Sequence, residues 1–150
     1  MAKSAYSTMM LLVETSDEGM KAAREAIGLA KDANANLIVA SVVDTALLRQ
    51  LLTYRIFVQE EMEEYESDMK DSARKHLEYV CQLADKEGIE YERRLLTGAT
   101  HSAVLDEQRR TEADLLIMAA FRASTATRDV MAREKQLILD EIPCPILLVR

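Results

Sequence analysis

Apolar residues gather in five short runs along the chain, and the stretches between them follow a different period. Thr8 to Glu14 (TMMLLVE) is an apolar run of strand length, closed by a polar turn at Thr15 and Ser16. Asn36 to Val43 (NLIVASVV) is rich in Ile, Val and Leu and ends at Asp44. Ile89 to Thr97 (IEYERRLLT) alternates more, the pattern of a strand near a sheet edge with one wetter face. Asp114 to Ala119 (DLLIMA) and Ile146 to Val149 (ILLV) complete the set. Near-continuous apolar strands predict a sheet covered on both faces.

Between these runs the spacing is helical. Met20, Ala23, Ile27 and Ala30 recur three, four and three residues apart, so 17–33 predicts a helix with one buried face. Ser16 stands where its N-cap falls, with Asp17 and Glu18 in the first turn at the positive end of the helix dipole. The longest helix is predicted from about Val58 to Lys86, its inward stripe running through Met62, Tyr65, Met69, Ala73, Leu77, Val80 and Ala84. Gly88 closes it at a position suited to positive φ. A short helix follows from His101 to Arg110, and another from about Thr127 to Glu141 stops before Pro143.

The order is therefore β-α-β-α-β-α-β-α-β. Strands joined through helices of this length run parallel with right-handed crossovers, which predicts a doubly wound five-stranded α/β sheet with helices on both faces. Such sheets bind ligands beyond the C-terminal strand ends, where the strand order reverses. For the common order 3-2-1-4-5 that crevice lies between the first and fourth strands, bordered by Glu14-Thr15-Ser16 and by the turn from Ala119 to Thr127.

With 150 residues, 49% of them hydrophobic, the chain supports one domain with a sizeable core, 1–150. A formal net charge of −7 disfavours nucleic-acid binding, which draws on clustered Lys and Arg. The apolar run from Met9 to Val13 is far shorter than the ~20 residues of a membrane span and lacks a signal-peptide cleavage pattern. Two cysteines read as reduced thiols in a cytoplasm. Cys81 falls on the inner side of the long helix and Cys144 between two prolines, with no base nearby to activate a thiol.

Candidate chemistry is sparse. His76 and His101 sit on different helices without metal-ligand spacing, so no metal is expected. Ser102 follows His101 and Asp106 comes later, but adjacency in sequence is not triad geometry, and no G-x-S-x-G elbow occurs. No catalytic residue and no enzyme activity are expected. A phosphate cradle in this fold needs glycines, because backbone N–H groups must approach the anion unobstructed. The four glycines are Gly19, Gly28, Gly88 and Gly98, and the turn 119–125 contains none. Glu60 to Asp71 (EEMEEYESDMKD) reads as a solvated acidic face or a docking surface for a basic partner. Thr45 to Val58 (TALLRQLLTYRIFV) is more apolar than a surface connection requires. It reads equally as a short helix across the chain's own crevice mouth or as a patch covered by another subunit.

The sequence resembles the universal stress protein (UspA-like) family in LLVETSDEG, LIVASVVD, LLTG, ADLLIMA and above all the ending IPCPILLVR. The resemblance implies the α/β fold just described, of the Rossmann-like, adenine nucleotide alpha hydrolase-like type. ATP-binding members carry G-x2-G-x9-G-[ST] after the fourth strand. Those places fall here on Ala119, Arg122, Ala132 and Arg133, and the usual Asp-Gly-Ser of the first turn is Glu14-Thr15-Ser16.

No ATP or AMP cofactor is therefore expected. A residual site for an adenine nucleotide or small anion would use Glu14, Ser16, Val43, Ala119, Arg122, Ser124, Ala132 and Arg133. Arginine attracts phosphate in its own right; the alternative is that Arg122 and Arg133 are solvated or paired with carboxylates. The resemblance also implies a cytoplasmic homodimer, formed where the last strand, Ile146, Leu147, Leu148 and Val149, pairs across a two-fold axis. The expected role is stress-responsive and regulatory, through protein contacts.

Overall fold

The order of the strands in space reverses once, at the first strand. The computed structural model describes residues 5–54, 58–121 and 130–150. Among them run β1 (Thr8–Leu12), α1 (Asp17–Ala33), β2 (Asn36–Asp44), α2 (Thr45–Thr53), α3 (Gln59–Glu87), β3 (Tyr91–Gly98), α4 (Thr100–Thr111), β4 (Leu115–Ala119), α5 (Val130–Glu141) and β5 (Ile146–Val149). The sheet order is β3-β2-β1-β4-β5 and every neighbouring pair is parallel, as expected.

Alternation along each strand sends side chains to two cores. Met9, Leu11, Leu37, Val39 and Ile117 meet α1 and α3, where Ala22, Ala26, Ile27, Leu77 and Val80 are buried. Met10, Leu12, Ile38, Leu116 and Met118 meet α4 and α5 through Val104, Leu105 and Ile138. Each large side chain fully buried in this way contributes about 1.5–3 kcal/mol. The stripe of alanines lets α1 lie close on the sheet. Cys81 belongs to the first core and Cys144 packs against the second. Burial pushes both thiols above their usual range, as inert packing residues require.

The helix ends follow local rules. Ser16 caps α1, its Oγ accepting the Gly19 N–H at 3.0 Å, and Gly88 ends α3 at φ 68°. Asp44 caps α2 through Leu47 N–H (3.0 Å), and its other oxygen accepts from Thr100 N–H (3.2 Å) and Oγ1 (3.0 Å). One buried carboxylate thus ties the starts of α2 and α4 together. Asp114 pins the first strand by accepting from Ser7 and Thr8.

Several expectations are corrected. β1 ends at Leu12, so Val13 and Glu14 belong to the turn, although Val13 N–H still donates to Ala40 O at 2.7 Å. β3 begins at Tyr91 and is an edge strand with a wet face, the character its alternation predicts. The inward stripe of α3 holds at Met62 and from Leu77 onward, but Tyr65 is exposed and Met69 and Ala73 only half-buried. At ~1.5 Å per residue the 29-residue helix outruns a sheet whose strands rise ~3.3 Å per residue over eight or nine positions at most, so about its first third overhangs. Met20 is likewise half-buried, and Ala22 and Ala26 take the centre of the α1 contact. Residues 45–53 form the short helix of the first reading; α2 buries Leu48 beside Met62 of α3, while Leu52, Tyr54 and Val58 stay exposed. Ile56 and Phe57 lie outside the described residues.

Between β3 and α4, Glu107 is buried against Arg94 (Nε to Oε1, 3.1 Å) and Arg110. Burial alone would push its carboxyl up. The Arg110 hydrogen bond and the Arg94 charge outweigh that and hold it below the usual value.

Candidate functional site

A cavity of about 410 Å³ opens at the C-terminal ends of β1 and β2, to one side of the switch point between β1 and β4 where the crevice is expected. Val13, Val43, Met69 and Met131 make its apolar wall, while Glu14, Ser16, Ser41 and His76 supply polar atoms. β1 stops one residue before Val13, which lets Glu14 turn across the mouth of the switch point. There the Glu14 carboxylate meets Lys135 of α5, Oε1 to Nζ at 2.6 Å. The second oxygen, Oε2, accepts the Ala119 N–H at 3.3 Å, and Lys135 also donates to the Ala119 carbonyl at 3.3 Å. Lys135 stands 5.6 Å from the centre of the Phe121 ring. Both partners are largely out of water, with side chains 6% (Lys135) and 17% (Glu14) exposed.

The backbone of the turn is held as firmly as its side chain. The Glu14 carbonyl accepts from His76 Nε2 of α3 at 3.1 Å, which assigns the proton to that nitrogen. On its other side lies Gly19, where a Cβ would sit only 2.2 Å from the Glu14 oxygen. No other residue fits that approach.

The eight expected ligand residues separate. Glu14, Ser16 and Val43 line the cavity, and Ala119 sits behind it, its amide taken by Glu14. Ser16 is engaged as the α1 cap. Ala132 is half-buried on α5. Arg133 is exposed and lines a second cavity of about 240 Å³ with Asp44, His101 and Glu134, away from Glu14. Arg122 and Ser124 lie outside the described residues, as does most of the turn from Ala119 to Thr127.

Sequence reasoning missed Lys135. A signal existed: Lys135, Ile138 and Ile142 are spaced three and four apart, placing a lysine on the apolar face of α5, and all three are buried. A lysine in such a stripe needs a carboxylate partner, but nothing in the spacing says which.

His101 also has more partners than expected. Glu134 contacts its Nδ1 and accepts its backbone N–H at 3.0 Å, and Ser102 Oγ lies 3.3 Å from Nε2. Ser102 itself is exposed and is not among the residues lining the neighbouring cavity, so these contacts fasten α4 to α5. Among the described residues no three of His, Cys, Asp and Glu come together to hold a metal ion. None of the described helices is long and apolar enough to cross a membrane.

β5 forms the sheet edge beyond β4. Leu148 is exposed there, while Leu147 and Val149 lean on the α1/α3 core and Ile146 on the other.

Comparison with known proteins agrees with the fold. A universal stress protein of Methanocaldococcus jannaschii is 21% identical over 148 residues, covering 99% of this chain and 84% of its own. Universal stress protein UspA from Lactobacillus plantarum superposes with a TM-score of 0.67 at 22% identity, over 98% of this chain and 99% of that one. A universal stress protein from Archaeoglobus fulgidus, solved in complex with dAMP, superposes at 0.65 with 15% identity, over 97% and 98%. The pattern that defines the universal stress protein family matches residues 5–150, and the chain belongs to that family.

Proposed function

We propose that this universal stress protein holds no triphosphate in its crevice and works, without catalysis, as a cytoplasmic homodimer through protein contacts. The observation that supports it is the Glu14–Lys135 pair at the strand switch point. A triphosphate placed there meets the Glu14 carboxylate, and the nearest buried cation among the described residues is already paired with it. The backbone cradle is missing as well: 119–133 contains no glycine.

Thermal melting with millimolar ATP is the direct test. The midpoint is expected to stay where it is, because only a ligand of the folded state raises it. A ligand at a hundred times its dissociation constant adds about 2.7 kcal/mol, a rise of roughly 5–10 °C for a domain of this size. Such a rise would favour an adenine-nucleotide module instead, the reading that the dAMP complex of the Archaeoglobus relative supports.

The dimer is proposed at β5, whose outer edge pairs with no other strand among the described residues, next to an exposed Leu148. Leu147 is the poorer site for a test because it also packs on the core. Sedimentation of Leu148→Asp is expected to give monomer where the unaltered chain gives dimer. A dimer that survives the substitution would count against pairing at this edge.

A further inference from the structure

We infer that the groove between α2 and the first turns of α3 is a docking surface for a basic amphipathic helix of another protein. The inference rests on the reading that this chain works through protein contacts, and it names the chemistry of the partner.

A helix start that breaks its local rule is the first observation. Val58 stands at the N-cap of α3 in extended backbone (φ −79°, ψ 158°) and offers no side-chain cap, where Ser, Thr, Asp or Asn would bond an orphaned N–H. It is also 62% exposed, so neither capping nor burial explains a valine there. A local rule broken with no gain to the fold points to a contact made with something else.

Apolar surface continues from it. Leu48 and Met62 are the buried floor of a groove of about 170 Å³, Leu52 is exposed at its rim, and Tyr54 beyond the rim is 76% exposed. That volume takes one anchoring side chain, whereas small-molecule sites run to ~300–1,000 Å³. Along the same overhanging turns Glu60, Glu64 and Asp68 are exposed and four residues apart, and none pairs with a cation among the described residues. Like charges at that spacing repel, and only Glu60 lies in the first turn, where the helix dipole favours it. A row of Lys or Arg from outside removes the repulsion.

The two features together select the occupant. Nucleic acid and anionic membrane are repelled by the acidic row. A second copy brings the same acidic surface to the contact, in a chain of net charge −7. A purely polar polycation leaves Leu52, Tyr54 and Val58 uncovered. A helix with aliphatic side chains on one face and cations flanking them meets both needs: an aliphatic anchor enters the groove and the cations reach the row.

Val58→Ser separates binding from folding, because the two respond with opposite signs. The hydroxyl supplies the missing cap, with Glu61 already at the third helical position to complete a capping box, so the melting midpoint is expected to rise by about 2–4 °C. The probe is a synthetic helix of about 14 residues, leucine and lysine only with the leucines on one face, titrated by fluorescence anisotropy. It is expected to bind the unaltered chain at least about tenfold more tightly than Val58→Ser or Glu64→Lys, tenfold being the scale of one anchoring residue. A scrambled peptide of the same composition and a leucine–glutamate helix are expected to bind as weakly as the variants do. Absence of binding to the unaltered chain overturns the proposal, and so does undiminished binding by Val58→Ser. Equal binding of the scrambled peptide reduces the surface to charge alone, and equal binding of the leucine–glutamate helix removes the basic partner; either overturns it. A Val58→Ser midpoint that falls shows that the valine serves the fold itself, and a dimer lost in that variant hands the face to a second copy; both are adverse. The ATP melt and the Leu148→Asp sedimentation test the underlying reading, and neither passes through this groove.

Discussion

Gly19→Ala is expected to melt well below the unaltered chain, by about 4–8 °C, even though alanine is the better helix former. Helix propensity alone favours alanine over glycine inside α1 by about 1 kcal/mol. The added methyl, however, would lie 2.2 Å from the Glu14 carbonyl oxygen and 2.7 Å from its carbon, both backbone atoms that cannot rotate aside. Overpacking costs about 1–3 kcal/mol, and the upper end, about 3, applies to a contact with backbone. A domain of this size loses about 2–4 °C per kcal/mol, and the ~1 kcal/mol of propensity offsets part of the cost. Sterics therefore wins over propensity. Gly28 provides the internal control, because it lies in the same helix with nothing within 4 Å of its missing Cβ. Gly28→Ala should raise the midpoint slightly, and two variants changing in the same direction would show that the close approach to Glu14 does not govern position 19.

Lys135→Met is expected to destabilise the fold by about 3 kcal/mol in urea titration with an unchanged m-value, the lower part of the range for breaking a buried ion pair. The substitution keeps most of the side-chain volume and strands the Glu14 carboxylate with the Ala119 amide as its remaining donor among the contacts described. Glu14 is 17% exposed and can recover some hydration, which moderates the loss. Replacing both residues, Glu14→Gln with Lys135→Met, removes the unpaired charge and should return most of the stability. A double variant no more stable than Lys135→Met would mean that the two side chains act independently and that the crevice is not organised by their contact.

The two largest expected losses thus converge on one turn. Gly19 governs how closely α1 approaches the Glu14 backbone, while Lys135 governs where the Glu14 side chain goes. Ser16, His76 and Ala119 are bonded to the same turn or its side chain, so these few residues unite α1, α3, β4 and α5 at the switch point.

The features legible in the chain were those that depend on near neighbours. Ser16 before an acidic first turn marks the start of α1, and Gly88 marks the end of α3, because caps are satisfied by backbone groups three or four residues away. The apolar runs of β1, β2 and β4 are buried on both faces, and the wetter β3 and short β5 fall at the two edges. The family ending at Pro143-Cys144-Pro145 led to the same topology. Tyr65 was misplaced because a periodic stripe says which residues share a helix face but not how far the sheet extends beneath it.

Sequence by itself therefore determined the elements, their parallel order and the absence of a glycine cradle, since periodicity, capping and residue counts are local properties of a chain. Only the tertiary structure decided that Glu14 faces Lys135 across the crevice, that Gly19 touches a backbone carbonyl, and that Arg133 belongs to a different cavity. Those contacts join residues brought together by the crossing of strands and helices, or set by an approach distance measured in tenths of an ångström, and neither is written in the spacing of residue types.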